Sequence, residues 1–350
     1  MLNEALKIKN LVIKNRIAIP PMVCFNWTDE NGYVTEKNIE HYRDLAKGGA
    51  GLVIVEATSV AKKAKLHENE LGIWDDSHIA GLKTIVDEIH KYGAKTFIQL
   101  VNAGGNGPDE NCDVPTRKEY RGRVRGVEMT EERINEAKEE FVKAALRAQE
   151  AGFDGVEIHG CHGDRSSCFF NSRMNLREDK YGKDKSLFAK EVLKAVKAAC
   201  NEDFIVGIRI GCFEPTLEDG LEHCKEVAPY ADFLDVSYGG NFDAFTPDGF
   251  EGSAAVYGAK CVKEMLPSMP VFGVHLINSK EACEKALSYG LDMVDVGKAA
   301  LVDPAFANHV INGDREEGHC LHCKNFCKWN PNEMANPNVK CPGFEKYNRA

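Results

Sequence analysis

The sequence has 350 residues, 43% of them apolar, and 44 basic against 54 acidic side chains give a formal charge of −10. That composition excludes a disordered chain and argues against nucleic acid or an anionic membrane surface as a partner, since both repel a net negative protein. No run of about 20 apolar residues occurs, and the first ten residues carry charges instead of an export signal's apolar core, so a cytoplasmic protein without a membrane span is expected.

From the N-terminus to about residue 310, β-branched runs alternate with stretches of helical period, the pattern of βα units around a parallel sheet. The strands are expected at Arg16–Met22, Gly51–Thr58, Lys95–Val101, Gly155–His159, Ile205–Gly211, Phe233–Tyr238, Pro270–Leu276 and Met293–Gly297. Most are near-continuously apolar, as strands covered on both faces must be. Between them, Ile79, Leu82, Ile85, Val86 and Ile89 share one helix face before a stop at Gly93. Ile134, Ala137, Phe141, Ala144, Ala145 and Ala148 do the same before Gly152. Thr35 and Thr130 stand as N-caps, and Glu131 and Glu132 put negative charge where the helix dipole favours it.

Eight βα units predict an α/β fold, a (β/α)8 TIM barrel over residues 1–312, followed by a cysteine-rich tail over 313–350. A Rossmann unit is rejected. Its nearest candidate, Ala103-Gly104-Gly105-Asn106-Gly107, leads into a polar, proline-containing loop that runs to about residue 128, not into a helix.

Of 13 cysteines, nine are scattered through apolar segments and read as reduced, buried thiols. The other four, Cys320, Cys323, Cys327 and Cys341, crowd into the tail, which has little core of its own and folds best around a metal. Four thiolates hold zinc or an iron-sulfur cluster, and spacing does not separate the two.

In a TIM barrel the chemistry lies at the C-terminal ends of the strands. Here those ends carry Gln99 and Asn102, the run His159-Gly160-Cys161-His162-Gly163-Asp164-Arg165, Arg209, and Gly297-Lys298. Gln99 offers an amide to a planar heterocycle. Arg209 suits an electron-rich ring, and Lys298, with the backbone around Val274–Asn278, suits a phosphate. Such a set would accommodate a flavin mononucleotide. Taken singly, Arg209 and Lys298 read equally as partners of carboxylates, and His159, His162 and Asp164 as the metal ligands of a hydrolase barrel.

Several short motifs share a common resemblance: Lys14-Asn15-Arg16-Ile17, Pro21-Met22, Val55-Glu56-Ala57, Gln99-Leu100, Glu157-Ile158-His159-Gly160, His162-Gly163, and the spaced Asn175, Arg177, Asp179, Tyr181 and Gly182. Together they resemble the Old Yellow Enzyme family over the whole barrel. The resemblance implies FMN at the barrel mouth, held by Pro21, Met22, Val23, Cys24, Ala57, Gln99, Arg209, Val274, His275, Gly297 and Lys298. It also implies hydride transfer to an electron-poor double bond, with His159 and His162 hydrogen-bonding the substrate's activating carbonyl. The sequence departs from the family at Asp164, where a proton-donating Tyr is usual, at Asn102 in place of His, at Val23 and Cys24 beside the flavin, and at Lys298 in place of Arg. These departures point away from a small enone.

The run His162-Gly163-Asp164-Arg165 is similar to the motif of the gut-bacterial bilirubin reductases, a branch of the same superfamily. This implies reduction of bilirubin toward urobilinogen, with Asp164 as proton donor and Arg165 holding a propionate or polarising a lactam carbonyl. A 2-enoate, a 2,4-dienoyl-CoA or a steroid enone is the alternative substrate, and a non-catalytic electron-transfer subunit a further one. The tail resembles that of the dienoyl-CoA reductase-like branch, which implies a [4Fe–4S] cluster on Cys320, Cys323, Cys327 and Cys341. Longer relatives in that branch add a flavin and nicotinamide domain, whereas this sequence ends at Ala350. Electrons are then expected from a separate flavodoxin- or ferredoxin-type protein, or from NAD(P)H. The oligomeric state, a homo-oligomer included, stays open.

Overall fold

The computed structural model describes residues 1–120, 123–239, 244–323, 327, 341 and 343, the side chains of residues 120, 123 and 125 excepted. Eight parallel strands pair in chain order: β1 (Ile17–Ile19), β2 (Leu52–Ser59), β3 (Lys95–Val101), β4 (Gly155–Gly160), β5 (Ile205–Gly211), β6 (Leu234–Ser237), β7 (Val271–Val274) and β8 (Met293–Asp295). β8 pairs with β1, so the sheet closes into the expected (β/α)8 TIM barrel.

Several strands are shorter than their apolar runs, for physical reasons. β1 stops at Ile19 because Pro20 and Pro21 have no N–H for the ladder. β7 stops at Val274 because His275 and Leu276 adopt φ of 86° and 60°, outside any strand conformation.

The helices α1 (Glu36–Lys47), α2 (Ile79–His90) and α3 (Glu131–Ala151) turn their apolar stripes to the sheet. In α3, Ile134, Ala137, Phe141, Ala144, Ala145 and Ala148 are all buried. Thr130 Oγ1 accepts the Arg133 N–H at 3.3 Å, and Gly152 closes the helix at φ 95°. The segment after β3 is more ordered than the expected loop. It holds a parallel pair, Asp113–Val114 with Val127–Glu128, and an antiparallel pair, Lys118–Tyr120 with Arg123–Arg125.

Inside the barrel the lower end is apolar. Ala18, Leu52, Ile54, Phe97, Ile205, Phe233, Phe272 and Met293 fill it, and Leu6, Ile8 and Ile13 of an N-terminal hairpin seal it from below. Phe233 stacks between Phe97 and Phe272, with centroids at 5.3 and 4.7 Å. Gly207 makes room for that ring, since a Cβ there would lie 2.1 Å from it. Above this floor stand Gln99, Glu157, Arg209, Asp235 and Asp295, all buried. Among the described residues no helix is long and apolar enough to cross a membrane.

Candidate active site

Seven of the residues expected to hold a flavin converge from four different strand ends. Pro21, Met22, Arg209, Val274, His275, Gly297 and Lys298 line one cavity of about 200 Å³, together with Pro20, Asn278, Asp295 and His322. Arg209 is 7% exposed and stands 3.0 Å from Asp235, yet its Nε and Nη1 have no hydrogen-bond partner among the described residues. Burial works most strongly against its charge, but Asp235 together with Cys161, Glu157 and Asp295 more than offsets that and holds the guanidinium firmly protonated. A buried donor left unmade is costly, so these nitrogens are suited to acceptors on a ligand. Lys298, on the same wall, makes no ion pair among the described residues and can neutralise a phosphate. An unsatisfied guanidinium, a lysine and an apolar Pro-Met edge around one cavity fit FMN.

Beneath Arg209 lie more carboxyls than it can balance. Burial first, and then the charge of Asp235, push the carboxyls of Glu157 and Asp295 well above their ordinary range. Both therefore hold a proton more tightly than a free carboxyl, while Asp235 pairs with Arg209. Gln99 donates its Nε2–H to Glu157 Oε1 at 2.6 Å, across the β3–β4 pair.

The other half of the site is the end of β4. His159 is the register partner of Arg209, which puts the histidines beside the cavity. Its Nε2 is 3.0 Å from Asp164 Oδ2, while Asp164 Oδ1 accepts from Asn106 Nδ2 at 2.9 Å. His162 adopts φ 64° and Gly163 φ 80°, a turn that brings the His162 ring back over the barrel. Its Nε2 lies 2.9 Å from Ser237 Oγ on β6, and the two imidazole centroids are 5.1 Å apart.

Asp164 and Arg165 face different spaces. Asp164 precedes the short helix α4 (Arg165–Phe170) at its N-cap position and faces His159, whereas Arg165 donates from Nη2 to Asp113 Oδ2 at 3.2 Å and lies 3.8 Å from Glu140. Arg133 holds the same two acids at 2.6 and 2.9 Å. Burial lowers the Arg165 guanidinium to about 10, against the pull of Asp113 and Glu140, so it stays charged at neutral pH. With Lys62, Lys63 and Arg133 it lines a second cavity of about 500 Å³.

Val23, Cys24, Ala57 and Gln99 lie outside the residues that line the first cavity. Cys24 gives its backbone N–H to Glu56 at 2.5 Å, and burial together with Glu56 pushes its thiol up. The Asn175-to-Gly182 motif is local architecture: Asp179 Oδ1 accepts the Tyr181 and Gly182 N–H groups and Arg177 forks onto Asp179. Asp235, Asp295, Asn106, Ser237 and His322 were not foreseen. The one signal for the two aspartates was a charge inside an apolar strand, in Phe-Leu-Asp-Val and Met-Val-Asp-Val.

None of the four tail cysteines is in a disulfide. Cys320, Cys323 and Cys327 are half-buried and Cys341 is buried, and no three of them are gathered into a metal-sized group among the described residues. The start of the tail is nevertheless tied to the mouth. Lys280 N–H donates to Glu316 O at 2.7 Å and Gly318 N–H to Asn278 O at 2.6 Å. Asn278 Nδ2 meets His322 Nε2 at 2.7 Å, on the wall of the first cavity.

Comparison with known proteins agrees with this fold. An NADH oxidase of Thermoanaerobacter brockii is 32% identical over 343 residues, covering 92% of this chain but 52% of the relative. The chain thus spans about half the length of that relative. An NADPH dehydrogenase of Listeria welshimeri is 34% identical over 312 residues, covering 86% of this chain and 91% of that one. Among solved structures, the old yellow enzyme from Trypanosoma cruzi superposes with a TM-score of 0.75 at 23% identity, over 91% of this chain and 93% of that one. A 2-naphthoyl-CoA reductase in complex with 2-naphthoyl-CoA gives 0.82 at 24% identity, over 89% of this chain and 52% of that one. Both likenesses are of fold. The family model described as NADH:flavin oxidoreductase / NADH oxidase matches residues 2–317, and the chain belongs to that FMN-dependent oxidoreductase family.

Proposed function

We propose that the protein is a cytoplasmic ene-reductase that hydrogenates conjugated double bonds of bilirubin toward urobilinogen. The observation that carries this reading is the division of labour between adjacent residues: Asp164 backs His159 at the mouth, while Arg165 opens onto a cavity bordered by Lys62, Lys63 and Arg133 as well as by Asp109, Asp113 and Glu140. A long conjugated substrate bearing propionates matches a reaction centre with a cavity next to it whose four cations exceed its three acids.

When bound, reduced FMN supplies the hydride; each double bond saturated takes up one hydride and one proton. His159 and His162 orient the substrate by hydrogen-bonding its carbonyl oxygen, a contact that strengthens as negative charge develops there. Asp164 holds His159 in place through Nε2 and is the acid that delivers the proton in this reading. Arg165 receives a propionate. Arg209 and Lys298 hold the flavin ring and phosphate, and Asp235 keeps Arg209 charged.

Cys320, Cys323, Cys327 and Cys341 ligate a [4Fe–4S] cluster in this reading, and His322, between two of them and on the cavity wall, supports electron delivery from that side. The electrons come from a flavodoxin- or ferredoxin-type protein or from NAD(P)H.

The test is an anoxic reaction of the chemically reduced protein with bilirubin, following flavin reoxidation and pigment loss together. Coupled changes with a urobilinogen-type product are expected. A flavin that stays reduced with bilirubin but is reoxidised by a 2-enoate, a 2,4-dienoyl-CoA or a steroid enone overturns the substrate and leaves the enzyme class standing. Asp164→Ala and Arg165→Ala should each retain flavin and lose turnover; unchanged activity in both would remove their assigned roles.

A further inference from the structure

Cys161 has no part in the chemistry above, yet both histidines turn toward it. Its sulfur is fully buried at the end of β4, with His162 Nδ1 at 3.2 Å and His159 Nδ1 at 4.0 Å. The ligand atoms of His159, Cys161 and His162 all lie within 4.8 Å of one another, the one such group of three among the described residues. The far nitrogens are held from outside, His159 Nε2 by the Asp164 carboxylate at 3.0 Å and His162 Nε2 by Ser237 Oγ at 2.9 Å. An imidazole that gives its Nε2–H to a carboxylate carries its lone pair on Nδ1, and a carboxylate behind a histidine is the usual outer support of a metal-bound ring.

The spacing also fits. Zinc bonds of about 2.0–2.3 Å to nitrogen and sulfur, set at tetrahedral angles, separate the donor atoms by roughly 3.3–3.8 Å. The two sulfur-to-nitrogen distances here, 3.2 and 4.0 Å, bracket that range. The left-handed backbone at His162, φ 64°, brings its ring round to Cys161, and so completes the set.

We propose that His159 Nδ1, Cys161 Sγ and His162 Nδ1 form a binding site for a borderline-soft divalent cation, zinc above all, with the fourth position open to water or a ligand oxygen. Asp164 belongs to the outer layer of this site and is not a ligand. On binding, the Cys161 thiol proton leaves to solvent. Hard cations such as magnesium and calcium, which require oxygen ligands, are excluded. Where the histidines also orient a carbonyl, zinc would compete with the substrate. That consequence rests on the proposed function; the binding itself does not.

The experiment is an anoxic titration of the FMN-loaded holoenzyme with Zn2+, and separately with Co2+, comparing the wild type with Cys161→Ala. The wild type is expected to take up one equivalent more than the variant, and its cobalt form to show a thiolate-to-cobalt charge-transfer band that the variant loses. The double variant Cys320→Ser, Cys323→Ser should keep that equivalent, which separates this site from the tail. Cys161→Ser, close to isosteric, serves if the alanine variant fails to fold, and should weaken zinc binding at least tenfold. Equal stoichiometry and affinity in the wild type and the Cys161 variants would place all metal on the tail and overturn the proposal. Neither readout depends on turnover, so a failure with bilirubin leaves it untouched.

Discussion

The lower end of the barrel and its mouth are made by the same eight strands, a few residues apart, and are filled by opposite chemistry. At the lower end Phe97, Phe233 and Phe272 stack and every inward group is apolar. At the mouth one guanidinium faces three carboxyls, and buried polar atoms of Arg209, Asp235 and Asp295 lack hydrogen bonds among the described residues. The floor is a finished core; the mouth is a set of interactions that a ligand completes. Stability and function are thereby separated along the barrel axis.

The largest expected effect breaks the floor. Phe233→Ala removes a ring packed between two others and should lower unfolding stability by about 3–5 kcal/mol in denaturant titration. At temperatures where it remains folded, the variant should still bind FMN. Loss of FMN affinity in a folded variant would show that floor and mouth are coupled.

At the mouth the sign reverses. Lys298→Ala should weaken FMN binding by about tenfold to a hundredfold, measured by flavin fluorescence on reconstitution, because a charge-assisted contact is lost. Stability of the flavin-free protein should change by less than about 0.5 kcal/mol, since Lys298 makes no ion pair among the described residues. A large drop in stability with unaltered flavin affinity would reverse the assignment.

The smallest effect is a slope. Burial raises Glu214 from 4.5 to about 7, although Asn171 and Ser167 donate to it. A carboxyl raised in the folded state binds more protons there than in the unfolded chain. Its contribution is therefore complete below about pH 4.5 and lost as pH rises toward 7, at no more than about 1.4 kcal/mol per pH unit. Glu214→Gln should flatten the stability profile across that window. Glu56, also raised to about 7 by burial, leaves a residual slope in the variant. An unchanged slope would mean that Glu214 is ionised in the folded protein.

Much of the fold was readable from residue order because it rests on local rules. Apolar runs of strand length, amphipathic helices with Thr130 and Gly152 at the ends of α3, and the alternation of the two are properties of neighbouring residues. Strand ends were less so, as at β1 and β7, where Pro20 and the positive φ of His275 decide. Their places at strand ends brought Arg209, Lys298 and the histidines to attention, and the barrel brings Arg209 and Lys298 to one cavity with His159 beside it.

Direction was not readable. Asp164 and Arg165 are consecutive in the sequence, and only the N-terminus of α4 sends one carboxylate to His159 and the next guanidinium to Asp113. Asp235 and Asp295 are single charges in the apolar sequences of β6 and β8, and only closure of the barrel brings them to Arg209. By itself the sequence determined the order of elements and the kinds of groups at each strand end, since periodicity and composition act over a few residues. The tertiary structure alone decided which of those groups share a space and a charge. That depends on barrel closure between residues distant in the chain, and on the low-dielectric interior in which one misplaced carboxyl keeps its proton.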